Sequence, residues 1–386
     1  MDSINPLKEG IEMNRKLRIS GFQFFCTIVL FQISMTGLLP YAINVKQDAW
    51  ISALIGLFLG CLLFLVYIKL FEIYPAIHFT NYVQQILGKF AGKLVIIAYI
   101  IYFIYMAARI LREFEQLLVI TLFESSSLIS LGILMMFLIM YGLFKGFETI
   151  ARTTEVIFFF IILIISIIVA FEFIAKIHHI NNLRPVLENG WRPVITASIP
   201  IGITFPFGEM VTFLMIMPHL NKQQNALKIG IPALVFSGLI LTFFTIINIS
   251  ILGISVLERT NYPLLVGVSY INIANFVQRL DSFIVIFMIC GGFIKITIFF
   301  YCAVSGTAEI FNIRKTNDLI YPIGVIILIC SILVARNQIE SIKERIEIIP
   351  YILHIPLQII IPICLLIIAL IQRKFKEKLP LPLFNK

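Results

Sequence analysis

Ten stretches of mainly apolar sequence, most of them long enough to cross a bilayer, leave this chain few folds to choose from. A helix needs about 20 apolar residues to cross a ~30 Å hydrocarbon layer. On that measure the stretches run approximately over 20–44, 49–73, 94–122, 128–144, 154–175, 194–218, 229–256, 277–305, 319–336 and 348–372. The third and eighth exceed what a bilayer requires and are expected to tilt or to extend beyond it. Of the 386 residues 60% are hydrophobic and 13% charged. Soluble domains carry about 25% charged residues, so half of the usual water-facing charge is missing. Lipid must be part of this chain's solvent. The expected class is an all-α integral membrane protein.

The charge of +9 sits mainly in short connectors and is no nucleic-acid footprint, because no basic stripe interleaved with aromatics accompanies it. Placing the N-terminus, the connectors near 69–93, 145–152, 219–228 and 314–315, and the C-terminal tail on one side collects 18 basic residues there against 9 opposite. The positive-inside rule then puts both termini in the cytoplasm, as an even number of crossings demands. Residues 1–19 are expected to be a polar cytoplasmic leader without a removable signal peptide. Residues 20–386 are expected to form one permease-like domain.

Cys26, Cys61, Cys290, Cys302, Cys330 and Cys364 all lie in apolar runs without a CxxC pair, and read as buried hydrophobes. The five histidines are scattered and form no HExxH. No metal site and no cofactor is expected. An intramembrane enzyme is disfavoured too, since no Ser–His pair, Asp pair or HExxH stands at membrane depth; His354 reads as packing.

Two stretches are interrupted. The first contains Gln32-Ile-Ser-Met-Thr-Gly37 and reaches Pro40; the sixth contains Ser198-Ile-Pro-Ile-Gly-Ile-Thr-Phe-Pro-Phe-Gly-Glu209 and closes at Pro218. Pro206 lacks a backbone donor, and Gly202 and Gly208 tolerate non-helical angles. The breaks centre near Thr36 and Thr204 and divide the chain into two halves, about 20–175 and 194–372, each opening on its broken helix. Matched interruptions of this kind point to a transporter built from inverted repeats. At such breaks, helix N-termini suit a carboxylate and opposing C-terminal ends suit an ammonium. Ser34, Met35, Thr36 and Gly37 with Gly202, Ile203, Thr204 and Phe205 are therefore the expected floor of an amino-acid site.

Charges inside spans are costly unless paired or wet. Lys295 lies mid-span and Glu209 directly follows the sixth-span break. Lys295 is expected to face a polar cavity, with Glu209 a candidate neighbour; the alternative is an incidental structural salt bridge. Thr297 and Tyr301 share its helix one turn apart and read as a further cavity wall. Tyr99 and Tyr102 are candidates for closing the site, or ordinary packing. Arg109, Arg112, Glu113 and Glu115 read as ion pairs at an extracellular helix end.

The Gln32–Gly37 run, Pro206-Phe-Gly-Glu209 with Met217-Pro218, and Phe293-Ile-Lys-Ile-Thr297 through Tyr301 resemble the spore germination permease family. These are the B subunits of nutrient germinant receptors in endospore-forming Bacillus-type bacteria. The likeness spans about 15–374 and makes residues 1–13 an extension. It implies the fold of the amino acid/polyamine/organocation superfamily: ten helices in two LeuT-like inverted repeats with helices 1 and 6 broken. It also implies a receptor that senses a small nutrient, often an amino acid, together with an A-type membrane subunit and a C-type lipoprotein in the spore inner membrane. A proton- or cation-coupled amino-acid transporter on the same fold is the competing reading, and a channel a third.

Overall fold

The computed structural model describes residues 18–34, 42–75, 77–123, 125–272, 280–334, 340 and 344–378. Met35, Thr36 and Gly37, named above as part of the site floor, fall outside them, as do residues 1–17 of the expected leader. The described residues are helical apart from connectors and one isolated bridge between Ile19 and Leu220.

Helix α1 (Gly21–Ile33) starts at Ser20, whose hydroxyl accepts from the Gln23 amide at 3.1 Å while the Gln23 side chain accepts from the Ser20 amide at 3.0 Å. Two amides that an α-helix leaves unpaired at its start are satisfied reciprocally. Helix α2 (Ala49–Ile73) follows a 3₁₀ turn, and short α3 (Phe79–Leu87) leads into α4 (Lys89–Thr121). Gly88 makes the α3–α4 corner at φ 83°, a conformation that a side chain would strain. Helices α5 (Leu128–Phe144) and α6 (Phe147–Ile174) complete the first half.

The sixth apolar stretch is not one helix. Helix α7 (Trp191–Ala197) lasts seven residues and gives way to a π turn at Ser198–Gly202. After Pro206 the chain winds as 3₁₀ through Phe207–Met215 and Met217–His219. Helix α8 (Ala226–Leu257) follows, with non-helical backbone at Gly253, then α9 (Pro263–Ser269), α10 (Asp281–Ile310) and α11 (Ile320–Val334). A π-helical stretch over Pro350–Ile360, carrying Pro350 and Pro356, runs into α12 (Ile361–Lys378).

Among the described residues, seven helical segments are long and apolar enough to cross a membrane: Asn44–Ile73, Lys89–Thr121, Phe147–Ile174, Gln223–Leu257, Asp281–Ile310, Thr316–Val334 and Pro350–Phe375. The other three expected crossings fall short for distinct reasons. Helix α1 ends at Ile33 after 13 residues, α5 has 17 residues, and the sixth stretch is interrupted. Large apolar side chains such as Phe58, Leu134, Phe137, Val156 and Phe159 stand exposed on α2, α5 and α6. On a soluble protein such a surface would be a large sticky patch; against lipid it is the ordinary outer face of a bundle.

Helices α4 and α10 pack together at the centre, α1 and α2 lie against α8, and the interrupted segment is enclosed by α2, α10 and the Pro350–Ile360 stretch. All residues from Pro206 to Met217 are buried. Close approach depends on missing side chains: a Cβ at Gly60 of α2 would collide with the Cβ of Phe207. Gly60→Ala is expected to destabilise the chain by about 1–3 kcal/mol, the usual range for overpacking. A lowered thermal unfolding midpoint of the purified protein, with Phe137→Ala unchanged as the lipid-facing control, is the measurement that checks it.

Candidate functional site

Half-way along α10, Lys295 turns its ammonium into the interior and meets Glu209, which the 3₁₀ segment after Pro206 presents. Nζ and Oε2 are 2.6 Å apart, and the two side chains are 1% and 0% exposed. The ammonium also lies 5.1 Å from the ring centres of both Phe31 and Phe205. A cation held over aromatic faces gains from the ring quadrupoles, more so when desolvated. Two residues of the broken stretches, one from α1 and one from the sixth stretch, thus flank one central ion pair.

Several buried polar atoms in the interior have no hydrogen-bond partner. Among the described residues these include both amide atoms of Gln32, Glu209 Oε1, Thr212 Oγ1, both ring nitrogens of His354 and Gln358 Oε1. Each of these side chains is at least nine-tenths buried. Contacts link them: Gln358 Nε2 donates to Tyr102 Oη at 2.7 Å, the Tyr102 and His354 rings are 6.0 Å apart, and Gln358 Oε1 abuts Gly208. Buried polar groups are nearly always paired, so unpaired ones are unusual. They are the kind of groups that a polar ligand or water satisfies.

The expected site residues divide. Ser34 ends α1 against Gly291 of α10, where any Cβ would strike its backbone; its hydroxyl donates to Phe31 O at 3.2 Å. Gly202 ends the π turn, Ile203 follows it, and Thr204 Oγ1 donates to Ile201 O at 3.3 Å. The Phe205 amide donates to the same carbonyl at 2.9 Å. Thr297 spends its hydroxyl on Phe293 O at 2.6 Å, within its own helix. Tyr301 lies six residues from Lys295, about 9 Å along the axis, and its hydroxyl meets His219 Nε2 at 2.8 Å. Tyr99 donates to Leu357 O at 2.5 Å, bracing the last helical stretch. Tyr301 and Tyr99 therefore engage His219 and Leu357, while Phe205 and Glu209 make their contacts at the ammonium.

Sequence reasoning missed Gln32, Thr212 and Gln358 and set His354 aside as packing. Their signal was present: His354 and Gln358 stand at i, i+4 within a proline-interrupted apolar stretch. The Arg109–Glu115 set forms the expected ion pairs, in buried positions within the last four turns of α4. Arg109 is 3% exposed and contacts Glu113 at 3.4 Å and Glu344 at 3.5 Å. Arg112 meets Glu115 at 3.3 Å, and Ser331 donates to that carboxylate. Neighbouring helices cover these pairs.

A family model described as spore germination protein matches residues 18–339. The chain belongs to the spore germination permease family. It is 35% identical over 363 residues, 94% of this chain and 97% of the other, to spore germination protein KB of Bacillus subtilis. Spore germination protein YndE of the same organism is 27% identical, covering 84% of this chain and 87% of its own. Spore germination protein XB of Bacillus anthracis is 23% identical over 82% and 88%. With its seven long apolar helices, this family member is a multi-pass membrane protein.

Separating the central charges is expected to be costly. Glu209→Gln leaves Lys295 without its counter-charge in a buried setting, a change of about 3–5 kcal/mol in comparable proteins. Glu209→Gln combined with Lys295→Met is expected to recover most of that loss. A double-mutant cycle on unfolding of the purified permease checks it; additive losses would mean that the two groups do not act as a pair.

Proposed function

We propose that the chain is the nutrient-sensing membrane subunit of a spore germinant receptor, and that its ligand, a small amino acid, binds at the Lys295–Glu209 pair between the two broken stretches. The observation that carries this reading is the fully buried ion pair flanked by Phe31 and Phe205, in an interior where buried Gln32, Thr212, His354 and Gln358 keep unpaired polar atoms. A zwitterion carries both charges within a few ångströms, so its carboxylate can replace Glu209 at Lys295 while its ammonium takes Glu209. Exchange of one ion pair for two avoids leaving either charge bare in a medium where that is expensive. Ser34, Gly202 and Thr204 supply small residues that let backbone dipoles approach the ligand.

In this reading the chain crosses the inner membrane ten times as two inverted repeats of five, both termini lie in the cytoplasm, and A-type and C-type subunits complete the receptor. Nutrient acts by preferring one of two conformations, and shifts their balance only by its difference in affinity. Membership of a family whose relatives are named as spore germination proteins supports the receptor over the coupled-transporter reading of the same fold. Glu209 is the group on which a transporter reading would rest, as a carboxylate at the ligand's ammonium.

Binding and uptake of labelled amino acids by proteoliposomes of the full chain, under an imposed proton gradient, test the proposal. Saturable binding of one amino acid without accumulation is expected, with at least tenfold weaker binding in Lys295→Met. Gradient-driven accumulation would make the chain a transporter. Unchanged binding in the variant would remove Lys295 from the site.

A further inference from the structure

At the end of the bundle where α1 begins, a cavity of about 730 Å³ opens among the start of α3, the α5–α6 corner, the turn at His219, the last turns of α10 and the Asn312–Asn317 connector. It contains neither Lys295 nor Glu209, and the ligand reading above does not require it. Its walls hold an unusual chain of ionisable groups. His78, the residue before α3, places Nδ1 3.0 Å from Glu309 Oε1 near the end of α10. Thr80, in the first turn of α3, donates to the other oxygen of Glu309. The His78 and His219 rings are 5.5 Å apart. His219 in turn meets the Tyr301 hydroxyl at 2.8 Å, and Tyr301 stacks on Phe147 of α6 at 4.1 Å.

We propose that His78, Glu309 and His219 form a proton-binding site that clamps α3 to α10 and so holds this end of the protein together. Short α3 has five buried residues, Phe79, Thr80, Tyr82, Val83 and Ile86. Its first turn is tied to α10 through Glu309 alone among the hydrogen bonds and ion pairs described. One proton on His78 decides whether that tie is an ion pair or a neutral contact.

The two histidines favour opposite states. The Glu309 carboxylate beside it raises His78 above its ordinary value, with burial working against it. His219 is pushed down to about 4, by burial first and by His78's charge second. Around neutrality His219 is then uncharged and able to accept from Tyr301. Facing His78 are Glu309, His219 and, across the cavity, Tyr301 and Arg314; His219 also borders a second hollow lined by Arg18, Glu72 and Lys222. A raised pKa means that His78's contribution is complete below its unfolded value and lost as pH rises through the folded one. The lowered one means that His219's contribution is complete above its unfolded value and lost as pH falls towards 4. The clamp is strongest between these limits and releases on the alkaline side through His78.

Hydrogen exchange of residues 78–87 in the full chain in lipid, corrected for the intrinsic pH dependence and followed from about pH 7 to 9, where His219 stays uncharged, tests this. Wild type is expected to lose protection as pH rises, by roughly two- to fivefold, the range of a partly exposed ion pair. His78→Gln should be at the unprotected level throughout, and His78→Lys, whose charge persists, at the protected level throughout. Glu309→Gln provides a second variant that removes the tie from the other side. No pH step in wild type, or a step that survives in His78→Gln or in Glu309→Gln, would overturn the proposal.

Discussion

Backbone that leaves the α-helix inside a membrane must be satisfied by protein, because lipid offers no hydrogen bonds. The segment from Ser198 to His219 lives under that constraint, and much of the architecture around it follows. Its π turn and 3₁₀ winding are enclosed by α2, α10 and the Pro350–Ile360 stretch, and the residues from Pro206 to Met217 are buried. Tyr67 of α2 reaches both sides of the enclosure, its hydroxyl lying 3.2 Å from Gly208 O and 2.6 Å from Gln358 O. Gly60 admits Phe207 for the same reason. An uninterrupted helix would have needed none of these contacts.

The interruption also delivers Glu209 to Lys295. On a straight helix, a carboxylate one residue after a glycine would have no special reason to meet the middle of α10. Here the 3₁₀ turn after Pro206 brings it there, and the aromatic rings of Phe31 and Phe205 complete the surroundings of the ammonium. A buried pair of this kind contributes little net stability compared with apolar packing of similar volume. In the proposed function its use is specificity: any species that enters must offer both charges a partner. That property suits recognition of a small polar nutrient better than it suits structural reinforcement.

Much of this could be read from the residues. The apolar stretches located helices α2, α4, α6, α8, α10, α11 and the last crossing, since spans of about 20 apolar residues have few alternatives. Pro206 with its flanking glycines marked the sixth break, and two charges in apolar surroundings marked Glu209 and Lys295. Other features depend on packing and were hidden. Tyr301 sits on the same helix as Lys295, yet its partner is His219, fixed by the bridge between Ile19 and Leu220 that no local pattern announces. Thr297 shares the helix too and spends its hydroxyl on its own backbone, a choice that residue type alone leaves open. The unpaired nitrogens of His354 emerge only when its neighbours are known, because a lone histidine in an apolar stretch is usually satisfied packing. The contact of Arg109 with Glu344 likewise joins residues 235 positions apart.

The most direct test of the central claim is infrared difference spectroscopy of the full chain in lipid, recorded with and without a bound amino acid. Exchange of the ion pair predicts a ligand-induced shift of a carboxylate band that disappears in Glu209→Gln. Saturable binding that leaves the Glu209 band unmoved would contradict it, and would place the ligand away from the Lys295–Glu209 pair.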